Sequence, residues 1–260
     1  MSLSQSEKAE FAEILFDAYA NKEPIEPLSD DTEFTTEEAY EIQAQVLEKM
    51  TEGDNAIAGH KLGLVSEGKQ EQLGIPEPIF GYVTEENVLD DRTIPTEDMI
   101  APRLEAEVGF ILGEDVSAPA SPTDIMMATD AVVPVVEILE SRFKGWTIPT
   151  PQDVIADNTS TGHVFIGETM RAPTDVDLKT EGVVVTVDGE TQSTGVGADV
   201  MGHPARSVAW LVNRLEDLDE GLEAGELVMS GGVSAALDIE PGDVYNVEFA
   251  DIGAIELNAE

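Results

Sequence analysis

From residue 56 onward the chain is built of short apolar runs punctuated by glycine and proline: IAGHKLGLV, PRLEAEVGFIL, AVVPVVEIL, HVFIGE, GVVVTVDGE, ELVMSGG and VYNVEFADIGAIEL. Runs of this length, rich in Val and Ile and bounded by turn formers, read as strands. They commit most of the chain to β-structure. Only one later segment has a helical period: HPARSVAWLVNRLEDL, at 203–218, places Val208, Leu211, Val212 and Leu215 on one face.

The first 55 residues differ. SEKAEFAEILFDAYANKEPI sets Phe11, Ile14, Leu15 and Ala18 at helical spacing, with Ser6 as the expected N-cap. FTTEEAYEIQAQVLEKM predicts a second helix, capped by Thr36, with Ala39, Ile42, Val46 and Leu47 as its apolar stripe. The expected architecture is an α+β fold in a single domain over 1–260: a helical segment at 1–55 and a β-rich core at 56–260. With 42% hydrophobic residues in 260, the chain can bury a large core. It shows no internal repeat, low-complexity block or linker.

Two of the strand-like runs contain acids where a strand would bury them. Side chains alternate along a strand, so Arg103, Glu105, Glu107 and Gly109 share one face and Leu104, Ala106, Val108 and Phe110 the other. Neighbouring carboxylates repel unless a cation lies between them. The competing reading is a solvated face beside Arg103. Glu137 interrupts a run of mostly β-branched residues, where a charge is costly unless paired or ligating. Together the three make an oxygen-ligand site for Mg²⁺ or Mn²⁺ with positions left open for substrate. Lys61, between Gly59 and Gly63, is either a snorkelling lysine at a strand end or a cation beside that site. Asp153, Asp157, Asn158, Thr159 and Ser160 form a polar cluster that reads as a turn, and the glycines of STGVGADVMGHP and SGGV as tight turns. No GxGxxG or P-loop pattern is present, so no nucleotide cofactor is expected.

Charge narrows the classes further. The chain carries 54 acidic residues against 13 Lys plus Arg, a net charge of -41. A field of that sign repels nucleic acid and anionic membranes. The acids are spread along the whole length, as in a salt-adapted (halophilic) cytosolic protein, and low salt should destabilise it. Cysteine is absent, which excludes thiolate chemistry, and there are three histidines. The longest apolar runs are too short to span a bilayer, and MSLSQSEKAEF has no signal-peptide pattern, so a cytoplasmic location is expected.

Taken in order, GHKLGLVSEGKQEQLGIPEPIFGYV, PRLEAEVGFIL, PVVEILESRF, IADNTSTGHVFIG, TGVGADVMGHPARSVAWLVNRL, LVMSGGVSAALDIEPGDVYNVEF and DIGAIEL resemble the 2-keto-4-pentenoate hydratase family. That group includes 2-oxohept-3-ene-1,7-dioate hydratase and 4-oxalocrotonate decarboxylase, within the fumarylacetoacetate-hydrolase superfamily. The resemblance covers nearly the whole chain. It implies that Glu105, Glu107 and Glu137 bind Mg²⁺ or Mn²⁺ and that Lys61 and Ser160 act on the substrate, with Asn158 as a further substrate-binding residue. After Leu73 the family often carries an acid where this chain has Pro76 and then Glu77, which makes Glu77 the candidate for that catalytic role. The implied fold is a mixed β-rich roll or barrel-like core, like the fumarylacetoacetase C-terminal domain, with helices packed outside. The implied activity is addition of water to a 2-hydroxy-2,4-dienoate in meta-cleavage catabolism of aromatic compounds, by a homo-oligomer. A 4-oxalocrotonate decarboxylase would use the same residues, and a non-catalytic cation-binding acidic protein is the reading from another class. A superfamily hydrolase of acylpyruvates fits less well, since no His/Glu water-activating pair is evident and His60 is the only histidine nearby.

Overall fold

The computed structural model describes residues 2–148 and 150–260. Helix α1 (Gln5–Asn21) starts at Ser4, whose hydroxyl accepts from the Glu7 N–H while the Glu7 carboxylate accepts from the Ser4 N–H. Helix α2 (Thr36–Met50) repeats the device with Thr35 and Glu38. Both caps fall before the expected Ser6 and Thr36. A capping box needs an acid or amide three residues on; Ser6 and Thr36 have Ala9 and Ala39 there, whereas Ser4 and Thr35 have glutamates.

Then follow β1 (Ile57–Gly63), α3 (Glu67–Leu73), β2 (Ile79–Thr84), β3 (Thr93–Ile94), β4 (Arg103–Leu112), α4 (Pro122–Ala128), β5 (Thr129–Leu139), α5 (Pro151–Ala156) and β6 (Thr161–Ile166). The chain ends with β7 (Gly182–Val187), β8 (Glu190–Val196), α6 (Pro204–Leu215), β9 (Leu227–Gly232), β10 (Leu237–Asp238), β11 (Val244–Phe249) and β12 (Ala254–Ala259). The expected α+β class holds, with a curled sheet forming a half-barrel. Helices α3, α4 and α5 were not expected. Each is six or seven residues long, too short for a 3.6-residue period to register, and α5 lies in the segment that read as a turn.

Two sheets make the β-rich part. The first has the order β2-β1-β9-β4-β5-β6, with β10 also on β4; the second is β3-β12-β11-β7-β8. β1 and β9 run parallel, and Gly59 is required where they meet, because a Cβ there would lie 2.0 Å from the Leu227 carbonyl oxygen. Leu104, Ala106, Val108 and Phe110 of β4 point into the main core with Phe80 and Ile42. The opposite face is also enclosed, and holds a smaller apolar cluster of Val83, Val133, Val135, Val164, Leu227 and Met229. Glu105, Glu107 and Glu137 share this second face by strand parity, so they enter a closed interior. Among the described residues no helix is long and apolar enough to cross a membrane.

Candidate metal centre and substrate cavity

The antiparallel register of β4 and β5 sets Glu105 directly opposite Glu137, with Glu107 one repeat further along β4. One carboxylate oxygen from each lies within 4.8 Å of the others. Exposures of 7%, 0% and 1% for Glu105, Glu107 and Glu137 dismiss the solvated-face reading. Glu107 accepts from the Gly231 N–H at 2.8 Å through Oε2, while its Oε1 has no partner among the described residues. Lys61 Nζ stands 2.7 Å from Glu137 Oε1, but off the direction of a hydrogen bond, so both Glu137 oxygens remain unsatisfied. Lys69 Nζ donates to Glu105 Oε1 at 2.8 Å.

Burial, and then the charges of Glu137 and Glu105, push the Glu107 carboxyl well above the usual carboxylate range. Burial also raises Glu137, against the pull of Lys61. Lys69 feels desolvation in the opposite sense, but Glu105, with Glu107 and Glu137 behind it, holds its ammonium above the ordinary value. Three buried carboxylates face two ammonium groups, which leaves one negative charge without a partner. An oxygen-only donor set with orphaned buried oxygens fits a hard divalent cation such as Mg²⁺ or Mn²⁺. The site is built for it in the backbone as well: a Cβ on Gly232 would come within 2.3 Å of Glu105 Oε2.

The triad opens through Glu105 onto a cavity of about 330 Å³ that Lys61, Lys69, Arg103, Trp146, Thr159 and Ser160 help to line. Lys61 Nζ donates to the Thr159 carbonyl at 2.7 Å. Asn158, Thr159 and Ser160 all have positive φ, at 45°, 53° and 55°, a conformation non-glycine residues hold only when surroundings enforce it. Asn158 enforces it: its Oδ1 accepts from the Tyr82 N–H and its Nδ2 donates to the Tyr82 carbonyl, each at 2.9 Å. Both ends of the amide are thereby committed to β2. Asn158, expected as a substrate-binding residue, is thus placed behind Thr159 and Ser160 and does not itself line the cavity. Beneath it, buried Arg142 pairs with Asp157 and donates to the Thr161 carbonyl at 2.6 Å.

Glu77 is not brought to the site. It lies exposed between α3 and β2, its charge falling on Tyr40 of α2, because the loop leads away from the cavity. His60 precedes Lys61 on β1 and faces the other way, toward Tyr82 and Glu226; burial lowers its pKa to about 4, so it is a neutral imidazole outside the acid cluster. Lys69 carries no signal in the sequence, Gly231 and Gly232 read there as a tight turn but end β9 beside the carboxylates, and the role of Arg103 is left open by the sequence. Arg103 lines the cavity, its guanidinium 4.4 Å from the Trp146 ring centroid and its Nε donating to Asp238 at 2.7 Å.

Residues 55–258 match the family model described as fumarylacetoacetate (FAA) hydrolase C-terminal. The chain is 34% identical to a 2-keto-4-pentenoate hydratase of Paraburkholderia xenovorans over 262 residues, covering 99% of this chain and 97% of the relative. It is also 34% identical to a 4-oxalocrotonate decarboxylase of Pseudomonas putida over 257 residues, 98% of this chain and 97% of that one. Among solved structures, the 4-oxalocrotonate decarboxylase of Pseudomonas putida G7, complexed with magnesium and adipate, superposes with a TM-score of 0.96 at 32% identity, over 99% of each chain.

Proposed function

Since this chain belongs to the fumarylacetoacetate hydrolase family, in the group of 2-keto-4-pentenoate hydratases and 4-oxalocrotonate decarboxylases, we propose that it is a divalent-metal-dependent lyase that hydrates a 2-hydroxy-2,4-dienoate. The observation that carries this is the buried triad of under-satisfied carboxylates opening onto a cavity that also holds Lys61 and Ser160. Glu105, Glu107 and Glu137 would hold the ion. When bound, the cation supplies Lewis-acid polarisation to the C1 carboxylate and C2 oxygen of the substrate.

The chain's own groups do the rest. Lys61, fixed between the Thr159 carbonyl and Glu137, carries protons where the dienol loses one from its C2 oxygen and gains one at C5. The product of that shift is a 2-keto-3-enoate. Water then adds across C3 and C4, hydroxyl to C4 and hydrogen to C3, giving a 4-hydroxy-2-ketoacid. Ser160 holds a substrate oxygen, and its strained backbone keeps the hydroxyl on the cavity wall. Glu77, expected as an acid for this chemistry, has no part in it.

A second reading draws on the near-complete superposition with the decarboxylase bound to adipate, a dicarboxylate. With a carboxylate on C5, the same electron sink at the C2 oxygen accepts the pair released as CO₂ departs, and C5 is left in the dienol. Homo-oligomerisation and a salt-rich cytoplasmic setting belong to the same proposal, and sedimentation in molar KCl tests the first.

The deciding assay offers 2-hydroxypenta-2,4-dienoate and a 2-hydroxymuconate-type dicarboxylate separately, with Mg²⁺ or Mn²⁺ in molar KCl. Loss of dienol absorbance without CO₂ supports the hydratase, and CO₂ from the dicarboxylate supports the decarboxylase. Glu107→Gln or Glu137→Gln should abolish turnover and cut metal affinity by at least about tenfold. Turnover of neither substrate by the metal-loaded protein would overturn both assignments.

A further inference from the structure

We infer that Arg103 is a specificity-determining residue, forming a second anion subsite in the cavity that selects dicarboxylates over monocarboxylates. The inference rests on the metal-dependent lyase reading above and, of the two substrates weighed there, favours the dicarboxylate over the pentadienoate. Charge motivates it: only 13 cations stand against 54 acids, yet Lys61, Lys69 and Arg103 all line this one cavity. A chain of net charge -41 repels a dianion at long range, so a dianionic ligand needs concentrated local positive charge.

Two of the three cations already have work at the triad, Lys61 beside Glu137 and Lys69 on Glu105. Arg103 does not. Its one salt bridge is through Nε to Asp238, a rim carboxylate 73% exposed, where an ion pair contributes little. Its two Nη groups make no hydrogen bond among the described residues. The guanidinium is instead held over the Trp146 ring, which fixes the plane of the fork and leaves an edge for a carboxylate.

Position supplies the length selection. Arg103 and Glu105 share a face of β4 at i and i+2, about 7 Å apart along the strand. The cavity wall at the Arg103 end is apolar, made by Leu139, Trp146 and Ile148, with Leu139 the cross-strand partner of Arg103. A ligand that fits has one carboxylate at the metal end, a hydrocarbon middle and a second carboxylate at Arg103. A dienoate with a single carboxylate would leave the fork without a partner.

The test is calorimetric and kinetic. Adipate and pentanoate, equal in carbon chain to within one atom, are titrated into the Mg²⁺-loaded protein and into Arg103→Met, Arg103→Lys and Asp238→Asn. Adipate should bind the wild type at least about tenfold tighter than pentanoate, the ratio should fall to near one in Arg103→Met and partly recover in Arg103→Lys, and Asp238→Asn should keep it. Mg²⁺ affinity should not change in any of the variants. With substrates, Arg103→Met should raise KM for the dicarboxylate and leave that of the monocarboxylate within about twofold. Equal wild-type affinities for the two probes, or an Arg103→Met variant that keeps the ratio, would overturn the inference; so would equal losses for both probes, which mark a purely structural role. If neither substrate turns over but the adipate preference holds and follows Arg103, the subsite stands and the lyase assignment falls.

Discussion

Arg142 and Asp157 are 3% and 1% exposed, and their ion pair sits directly under the strained turn that carries Thr159 and Ser160. Removing one partner of such a pair strands the other's charge in the interior, at about 3–5 kcal/mol. Asp157→Ala should therefore lower the melting temperature by roughly 10 °C in a chain of this size, and a loss under about 1 kcal/mol in denaturant titration would show that the pair is no clamp. His60 gives a pH dependence of definite sign. Its folded pKa, about 4, lies below the value of about 6.5 it has when unfolded, so the unfolded chain binds the extra proton. The stability it contributes is whole above about pH 6.5 and is lost as pH falls toward 4, on the order of 3 kcal/mol in all. His60→Gln should flatten that limb of the stability profile by close to one proton; an unchanged slope would mean that the imidazole titrates normally. At this scale the sequence exposes what is incongruous. Glu105, Glu107, Glu137 and Lys61 are charges within apolar runs, and burial bears out their oddity. Lys69 is ordinary in a polar helix, and Gly231 and Gly232 read as a turn although they end β9; only the fold brings them to the carboxylates.

At the scale of elements, the triad is a consequence of register. Slipping β4 by one residue against β5 would turn Glu105 and Glu107 into the main core and bring Leu104 and Ala106 to the cavity side, so the apolar pattern of β4 fixes the carboxylate triad as firmly as the acids do. The parallel contact of β1 with β9 is the second constraint, since β1 carries Lys61 and β9 carries Gly231 and Gly232. Gly59→Ala forces a Cβ against the Leu227 carbonyl, so it should cost more than about 3 kcal/mol or prevent folding. Gly232→Ala is milder, because the group displaced is the Glu105 carboxylate. That variant should fold with a melting temperature near wild type yet bind Mg²⁺ at least about tenfold more weakly, and wild-type affinity would show that Glu105 has room to spare. The sequence revealed the long amphipathic helices and eight of the twelve strands, whose apolar runs are strong enough to register, but not β2, the polar β8 or the two-residue β3 and β10. It could not reveal α3, which carries Lys69, since EGKQEQL has a single large apolar residue and so no apolar stripe, nor the left-handed run at 158–160, which is held by contacts with β2 and not by local preference.

The whole molecule is governed by its charge. Of 54 acidic side chains, the three in the triad share two ammonium groups and a few more, such as Asp157 on Arg142, are buried, but most of the others lie toward water with too few cations to pair with, and the net charge of -41 repels itself in the compact state. The Debye length falls from about 10 Å at 0.1 M salt to about 3 Å at 1 M, so added salt should screen surface repulsion while leaving the buried pairs of Lys61 and Arg142 nearly unaffected. The melting temperature should rise by roughly 5–10 °C between 0.1 and 1 M KCl, an increment of about 2–3 kcal/mol, with the triad variants Glu107→Gln and Glu137→Gln showing the same slope. Mg²⁺ at millimolar concentration should add a further rise in the wild type only, since a ligand bound to the folded state stabilises by mass action and these variants lack its oxygen donors. The two effects separate the two populations of acids. A KCl slope near zero would mean that the surface charges are not in repulsive excess, and a Mg²⁺ rise that persisted in both Gln variants would mean that the cation acts on the surface acids and not on the triad.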